Sequence, residues 1–320
     1  MGSAGDDVVA GVDYPADFGQ FQDWFSTDEA CFEYLAHLRW PDGFACPRCA
    51  GLDAWATASG LWMCRNCGRR TSVTSGTLFD RTRTPLRTWF AAVWFVTAQK
   101  NGVSALGLQR VLGLRSYETA WAWMHKLRRA MVMPERELLG GTVEVDESYI
   151  GGISRGKTGR STDKVPVMSA AENLGRNRIG RIRMEPTTPE SLPLVKFAQR
   201  VIVAGSVIKT DGAQELRRLG NLGFQHKFYT QLGSSTPAHI DLPAVHMVAS
   251  QLKRWMLGTM HYGASSDHFG YYLDEFTFRF NRRAANSRGL LFYRLLHQAV
   301  RTEPRPLNEL VSSENNKYLK

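Results

Sequence analysis

Cys46-Pro47-Arg48-Cys49 and Cys64-Arg65-Asn66-Cys67 are two Cys-x-x-Cys pairs separated by fourteen residues. Two pairs at this spacing can place four thiolates tetrahedrally around one zinc ion. The alternative is two disulfide bonds, but the acidic N-terminus predicts no secretory signal, and a two-residue gap suits a metal knuckle better than a bridge. We therefore predict a zinc ribbon over residues 39–80. Its ion would be structural, because four cysteines leave no coordination position for water or substrate.

The composition indicates a folded protein with an excess of positive charge. The chain has 320 residues, 43% of them hydrophobic, and 40 Lys and Arg against 30 Asp and Glu give a net charge of +10. This length can bury full cores in two or three domains, and the positive sign favours a polyanion such as nucleic acid. The longest apolar stretch, Trp89 to Ala98, is too short to cross a bilayer. We expect a cytoplasmic protein without a membrane partner.

The N-terminal region is predicted to be helical. Apolar residues recur at helical spacing over residues 23–38, so residues 1–38 are assigned to a helical segment that leads into the ribbon. Cys31 lies in this aromatic stretch and is predicted to be a buried core thiol rather than a ligand or nucleophile. The ribbon ends in a basic run with Arg69 and Arg70. Such a run is usually a solvated face, but these two arginines are candidate DNA contacts.

Helices are also predicted between residues 85 and 133. Those at residues 103–113 and 116–129 are joined by a glycine turn, and Ser116 can cap the second. Two helices joined in this way are often only a packed hairpin. The neighbouring ribbon and the basic end of the second helix favour a DNA-binding helix-turn-helix instead. The candidate DNA contacts in this segment are Arg115, Lys126, Arg128 and Arg129.

After Gly141 the pattern changes to short strands. Strands are predicted at residues 142–150, 165–171, 180–184 and 207–212, with helices at 192–203, 243–257 and 267–280. This order predicts a mixed sheet flanked by helices in a domain over residues 140–300, followed by a C-terminal tail over 301–320. The loop at 153–164 is basic. By default it is a solvated hairpin tip, and the alternative is a DNA contact through Lys157 and Arg160.

Two aspartates lie on predicted strands of this domain. Asp146 within Val-Asp-Glu-Ser and Asp211 within Lys-Thr-Asp-Gly can together hold two divalent cations near a phosphodiester, provided that their strands are neighbours. Such an aspartate often only caps a turn, so neither is diagnostic alone. A third segment strengthens the interpretation, because His246, Ser250 and Lys253 share one face of a predicted helix. A histidine on a helix is more often structural than a ligand, but this combination favours a site.

These motifs together resemble the zinc-ribbon insertion-sequence transposases of the ISXO type, bacterial relatives of Merlin elements within the DDE superfamily. The resemblance covers the chain from about Phe21 to about His297 and implies a zinc ribbon, a helix-turn-helix and a ribonuclease-H-like catalytic domain with a mixed sheet flanked by helices. It rests on Arg-Trp-Pro-Asp-Gly-Phe-Ala-Cys-Pro-Arg-Cys at 39–49, Val-Asp-Glu-Ser-Tyr-Ile-Gly-Gly at 145–152, Thr-Asp-Gly at 210–212, Leu-Lys-Arg-Trp-Met-Leu-Gly-Thr at 252–259 and Tyr-Leu-Asp-Glu-Phe-Thr-Phe-Arg-Phe-Asn-Arg-Arg at 272–283.

The resemblance also implies roles for single residues. Asp146 and Asp211 would be the first two acids that bind Mg²⁺ or Mn²⁺, and Lys253 the basic residue after the third catalytic position. The chain departs from the superfamily there, because His246 lies where most members have glutamate, and Gln251 lies where related members have asparagine. His246 would be a ligand or orient the water; alternatively it packs beneath the helix, and Gln251 or water completes the shell. The candidate site residues are Asp146, Asp211, His246, Gln251 and Lys253, with Arg254 as a phosphate contact.

The function that the resemblance implies is DNA transposition. The ribbon and helix-turn-helix would bind the terminal inverted repeats, and the catalytic domain would cut the double-stranded DNA and join it to target DNA. Synapsis of two ends implies a homodimer or higher oligomer on DNA, in a nucleoid-associated protein. Two alternatives stay open. One is a catalytically inactive, domesticated DNA-binding regulator, suggested by His246 and Gln251, and the other is a nuclease that cuts without joining.

Overall fold

The structure, a computed structural model, divides into two compact units. The first comprises residues up to Met131 together with Ala284–Val311, and the second comprises Val132–Arg283. No helix in the described part of the chain combines the length and the apolar character needed to cross a membrane. The described residues are 8–57, 60–133, 136–151, 164–187, 193–211, 214–229, 238–260, 266–285 and 287–311, so Lys157, Arg160 and the end of the predicted tail lie outside them.

The elements of the described residues are numbered in chain order. The strands are β1 (Ala54–Ala56), β2 (Trp62–Cys64), β3 (Arg70–Thr71), β4 (Thr142–Ile150), β5 (Val165–Asn173), β6 (Ile179–Pro186), β7 (Val207–Thr210) and β8 (Gln225–Phe228). The α-helices are α1 (Phe18–Trp24), α2 (Asp28–Arg39), α3 (Leu86–Ala98), α4 (Ala105–Leu112), α5 (Tyr117–Ala130), α6 (Leu194–Val201), α7 (Ala238–Asp241), α8 (Pro243–Met260), α9 (Phe269–Asn281), α10 (Arg288–Ala299) and α11 (Leu307–Val311). Two 3-10 helices lie at Gln214–Leu222 and Ser266–His268.

The first unit has a helical core rich in aromatic rings. Phe292 of α10 lies with its ring centroid 5.4 Å from that of Phe21 and 5.8 Å from that of Phe90. Helix α10 packs against α2, α3 and α5. This packing groups residues 284–311 with the N-terminal unit, whereas the sequence places residues up to 300 in the catalytic domain. Cys31 is fully buried in this unit, as predicted, and burial raises the pKa of its thiol to about 12.

The predicted N-terminal helix is interrupted in the structure. Helix α1 ends at Trp24, and α2 begins after Thr27, whose hydroxyl accepts a hydrogen bond from the backbone N–H of Ala30 at 3.2 Å. A capping threonine of this kind satisfies one of the N–H groups that a helix start leaves without an intrahelical partner. The cap therefore starts a new helix inside the periodic apolar stretch.

The second unit contains a five-stranded mixed sheet in the order β6-β5-β4-β7-β8. Strands β4, β5 and β6 pair antiparallel, whereas β7 is parallel to β4 and β8 is parallel to β7. Helices α8 and α9 cover one face and α6 covers the other, so a hydrophobic cluster lies on each side. The predicted mixed sheet flanked by helices is confirmed. The edge strand β8 was not predicted, because its short sequence Gln-His-Lys-Phe is largely polar.

Candidate active site and nucleic-acid interface

Strand β4 directs its two sets of side chains to opposite faces of the sheet. Val143 and Val145 lie in the cluster beside α6, whereas Ile150 lies in the cluster beside α8 and α9. Because side chains alternate along a strand, Glu144 and Asp146 share the face of Ile150. Both carboxylates therefore lie on the side of the sheet that α8 covers.

Asp211 directly follows β7, the parallel neighbour of β4. Val143 pairs with Ile208 and Glu144 pairs with Lys209, so the same register two residues later sets Asp146 level with Asp211. Burial of the carboxyl, followed by the negative charge of Asp211, raises the pKa of Asp146 to about 7. A half-buried carboxylate that lies close to a second negative charge suits a divalent cation, which offsets the repulsion.

Helix α8 brings further polar side chains to these acids. His246 and Asp146 approach with Nε2 and Oδ2 3.8 Å apart, which is beyond hydrogen-bond distance. Ser250 and Lys253 follow at the helical spacings of four and seven residues and line the same cavity of about 420 Å³. The lining of that cavity is Asp146, Glu147, Ser148, Tyr149, Lys164, His246, Ala249, Ser250 and Lys253.

Gln251 lies on a different side of α8 from these residues. Each residue of an α-helix is rotated by about 100° from the one before, so Gln251 is displaced from the face that His246, Ser250 and Lys253 share. Ser250 lines the cavity at this level of the helix. The structure thus brings Asp146, His246 and Lys253 to one cavity and directs Gln251 away from it. Arg254 is exposed on the same helix.

Glu144 ties the start of α8 to β4. Its side chain is fully buried, and Oε2 accepts hydrogen bonds from the backbone N–H groups of Ala244 at 2.6 Å and Val245 at 3.1 Å. The amide of Asn173 donates to the other carboxylate oxygen. An anion at a helix N-terminus satisfies free N–H groups and interacts favourably with the helix dipole. Glu144 therefore fixes where α8, and with it His246, lies relative to Asp146.

Glu144→Ala is expected to destabilise the second unit by about 2–3 kcal/mol, because two buried N–H groups lose their acceptor. Urea unfolding, followed by a signal from this unit, measures the loss. The matched control is Glu185→Ala. Glu185 pairs with the exposed Arg200, so its removal should cost less than about 1 kcal/mol. Equal stabilities for the two variants would show that Glu144 does not hold α8.

The four cysteines of the ribbon come together as predicted. The Sγ atoms of Cys46 and Cys67 are 3.6 Å apart, as are those of Cys49 and Cys64, and all four lie within 4.8 Å of one another. Thiolates arranged tetrahedrally at a Zn–S distance of about 2.3 Å are about 3.8 Å apart. The cluster therefore fits one structural zinc ion.

Both knuckles of the ribbon turn in the same way. Ala50 donates its N–H to the carbonyl of Cys46, and Gly68 donates to the carbonyl of Cys64, four residues back in each case. Ala50 and Gly68 both have positive φ, at 57° and 68°. These tight turns bring the two sulfurs of each pair to one side, which is why the two-residue gap suits a shared metal ion.

Helices α4 and α5 form the predicted helix pair. Gly113 ends α4 with φ at 63°, and Ser116 caps α5 by accepting the N–H of Thr119 at 3.1 Å. Most of α5 is buried, and Trp123 stacks on Trp89 of α3 with ring centroids 3.7 Å apart. The exposed part of α5 is its first turn, at Tyr117 and Glu118.

The candidate DNA contacts differ in exposure. Arg69, Arg70 and Arg115 are exposed, whereas Lys126 and Arg129 are half-buried. Arg128 is only 2% exposed, so its position does not suit a phosphate contact. A basic residue at the end of an amphipathic helix is ordinarily solvated, and the sequence carries no signal that this guanidinium is buried.

Known proteins match both parts of this architecture. The family model of the ISXO2-like transposase domain matches residues 138–281, and that of the transposase zinc-ribbon domain matches residues 26–70. In both of these parts the chain is similar to the ISXO2-like transposases. The predicted resemblance is confirmed. A protein in the transposable element ISH50 of Halobacterium salinarum is 26% identical over 280 residues, which cover 80% of this chain and 91% of that protein.

Several residues near Asp146 were not among the site residues predicted from the sequence. Glu144 has a signal in the sequence, because Glu-Val-Asp on a strand places both acids on one face. Glu147 and Ser148 lie next to Asp146, but alternation alone does not show that both reach one cavity. Lys164, directly before β5, also lines the cavity, and no spacing rule predicts that.

Proposed function

We propose that this chain is an insertion-sequence transposase that binds the terminal inverted repeats of its element and catalyses metal-dependent DNA cleavage and strand transfer. The observation that carries the proposal is the cavity at which Asp146 of β4 meets His246 and Lys253 of α8, with Asp211 on the neighbouring strand. A half-buried acidic site next to a lysine, in a chain with a net charge of +10, suits a phosphodiester substrate.

In this proposal the chain's own residues bind and orient the reacting groups. Asp146 and Asp211 hold one or two Mg²⁺ or Mn²⁺ ions, and His246 is a third ligand or orients the attacking water. When bound, such ions supply activation of the attacking oxygen and stabilisation of the leaving oxygen. Lys253 and Arg254 bind the phosphate groups of the strand and thereby position it. The sequence of events needs no covalent protein intermediate.

The proposal assigns recognition to the first unit. The second helix of a helix-turn-helix contacts base edges with its N-terminal residues, and the first turn of α5 is the part of that helix that is exposed. We therefore assign base contacts to the region of Arg115 and Tyr117, and phosphate contacts to Arg69 and Arg70 of the ribbon. Arg128 is left out because it is buried.

The strand order also supports a ribonuclease-H-like assignment for the second unit. Three antiparallel strands are followed by two strands parallel to the first. Asp146 lies on the central strand β4, and Asp211 directly follows its parallel neighbour β7. A dimer or higher oligomer on DNA, and a nucleoid-associated location, stay predictions.

One experiment separates this proposal from its two alternatives. Purified protein is incubated with labelled element ends and a supercoiled target plasmid in Mg²⁺ or in Mn²⁺. A transposase yields joined product, a nuclease yields cleaved ends alone, and an inactive regulator yields a stable complex without cleavage. The matches to a transposase domain and a transposase zinc ribbon favour the first outcome.

His246 gives a sharper test of the metal site. His246→Ala is expected to lower strand transfer by about tenfold or more, whereas His246→Glu restores it and shifts the preferred ion from Mn²⁺ toward Mg²⁺. The physical reason is that Mg²⁺ prefers oxygen ligands, while Mn²⁺ accepts imidazole more readily. Rates of end joining at matched concentrations of the two ions measure the shift.

Met247→Ala is the matched control for the His246 variants. Met247 is the next residue on α8 and is 47% exposed, so its truncation should leave both the rate and the ion preference unchanged. Full activity in His246→Ala would exclude His246 from the chemistry and leave a packing role.

A further inference from the structure

The outward face of the ribbon sheet carries a row of side chains that the zinc site does not use. Trp55 of β1 lies opposite Met63 of β2, and Met63 lies opposite Arg70 of β3. Residues directly opposite one another in a sheet point to the same face, so these three side chains form one row. Ala54 and Cys64, a neighbouring opposed pair, lie in the ribbon core and so on the other face.

Trp55 lies outside the ribbon core. That core consists of Phe44, Cys46 and Cys64, with Trp40, Ala54, Trp62 and Cys67 packed against it. Trp55 is 44% exposed, although a buried tryptophan in so small a domain would add more stability than almost any other side chain. Aromatic rings and arginines are among the side chains most enriched at binding interfaces.

One arginine lies beside this ring, and a second lies further along the same face. The guanidinium carbon of Arg65 lies 5.8 Å from the centroid of the Trp55 ring, and Arg70 occupies the far end of the row. Both arginines are exposed. Asp53, two residues before Trp55, is the acid that alternation places on this face. The face is therefore net positive and has an aromatic centre.

We propose that the face formed by Trp55, Met63, Arg65 and Arg70 binds the backbone of double-stranded DNA at the element ends. Arg65 and Arg70 bind phosphate groups, and the Trp55 ring packs against a deoxyribose next to the phosphate group that Arg65 binds. This assignment rests on the proposed function, namely that the chain binds terminal repeats. It adds Trp55 and Arg65 to the candidate DNA contacts and assigns a phosphate group to Arg70.

The charge pattern selects DNA over a second copy of this chain. A symmetric contact between two copies places the same patch opposite itself, so arginines would face arginines. A nucleic-acid backbone instead presents regularly repeated negative charges to both guanidinium groups. Arginine is also the side chain whose geometry best matches a phosphate group.

The test compares Trp55→Ala and Arg70→Ala with Arg48→Ala, a charge-matched control. Arg48 is an exposed arginine of the same ribbon, in the first knuckle and outside this face. Binding of fluorescent end DNA is measured from about 50 to about 200 mM salt. Arg70→Ala should lower the slope of log K against log salt by about 0.9, because one phosphate contact is lost. Trp55→Ala should weaken binding about tenfold with an unchanged slope, and Trp55→Phe should recover most of the loss.

Zinc content close to that of the wild type in every variant shows that the ribbon stays folded. If Trp55→Ala and Arg70→Ala bind end DNA as Arg48→Ala does, this face is not a DNA contact, while end binding by the wild type still supports the proposed function. If the wild type itself binds no end DNA, the proposed function fails first. A change of sedimentation behaviour in Trp55→Ala with unaltered DNA affinity would assign the face to a protein partner and overturn the inference.

Discussion

Asp146→Asn is expected to lower strand transfer by at least about a hundredfold while binding of the terminal repeats stays at the wild-type level. Asparagine keeps the size of the side chain but removes the negative charge that a divalent cation needs. The proposed recognition elements belong to the other compact unit, and Asp146 is not one of them. Gel-shift binding of labelled ends and joining of those ends to a target plasmid measure the two quantities separately. Asp211→Asn should behave in the same way.

Asp267→Asn is the matched control for these variants. Asp267 is an exposed acid of the same unit and does not line the cavity, so the same chemical change there should leave end joining intact. Joining by Asp146→Asn at a rate near that of the wild type would refute the active-site assignment.

Asp146→Asn is also expected to change the stability of the protein, and here the substitution is favourable. Burial and the charge of Asp211 raise the pKa of Asp146 to about 7 in the folded protein. The folded state thus binds the proton more tightly than the unfolded chain, and stability falls as pH rises from about 4 to about 7. Without added Mg²⁺ or Mn²⁺, Asp146→Asn should therefore be more stable than the wild type at pH 8, by up to about 4 kcal/mol, and nearly equal at pH 4.

Thermal unfolding at the two pH values measures this difference. Chelators are avoided because they would also remove the ribbon zinc. Added Mn²⁺ should reduce the advantage of the variant, since the cation stabilises the ionised wild-type site. If Asp146→Asn is less stable than the wild type at pH 8, the ionised Asp146 carboxylate is not destabilised by its surroundings.

Strands β4 to β7 of the second unit were predictable because alternation and length leave few choices. In Val-Glu-Val-Asp at the start of β4, Val143 and Val145 are buried on one face of the sheet and Glu144 is buried on the other. The predicted limits of this strand, Thr142 to Ile150, are those of the structure. The pairing of β4 with β7 does not follow from alternation; the structure shows it. The cysteine cluster was predictable for a similar reason, because its spacing restricts its geometry.

Other features depend on contacts between distant parts of the chain. Glu144 accepts hydrogen bonds from residues 100 and 101 positions further on, and no local rule predicts that. Arg128 is buried although its helix position resembles that of a solvated basic residue. Helix α10 has the periodicity expected of either unit, and its packing on α2, α3 and α5 decides between them. Sequence patterns indicate which face of a helix or strand is buried and where the element ends. Which other element packs on that face depends on contacts between distant parts of the chain.

Cys46→Ser is expected to reduce zinc content from about one ion per chain to almost none, and to weaken binding of the element ends by at least about a hundredfold. A structural zinc ion supplies about 10–16 kcal/mol of apparent binding energy in small zinc domains. The ribbon core has few apolar residues beyond Trp40, Phe44 and Trp62, so it cannot stay folded without the ion. Elemental analysis of the reduced protein and gel-shift binding measure the two losses.

Cys31→Ala is the control that separates the metal cluster from thiols in general. Cys31 is a fully buried cysteine of the same unit and lies outside the four-cysteine group, so its removal should leave zinc content unchanged.

In Cys46→Ser the second unit should still unfold as a separate transition, because its two hydrophobic clusters contain no ribbon residue. Freshly purified, reduced wild-type protein without zinc would contradict the ribbon assignment. Full end binding by a zinc-free Cys46→Ser protein would instead confine recognition to the helix pair, since the ribbon face around Trp55 exists only while the metal holds the two knuckles together.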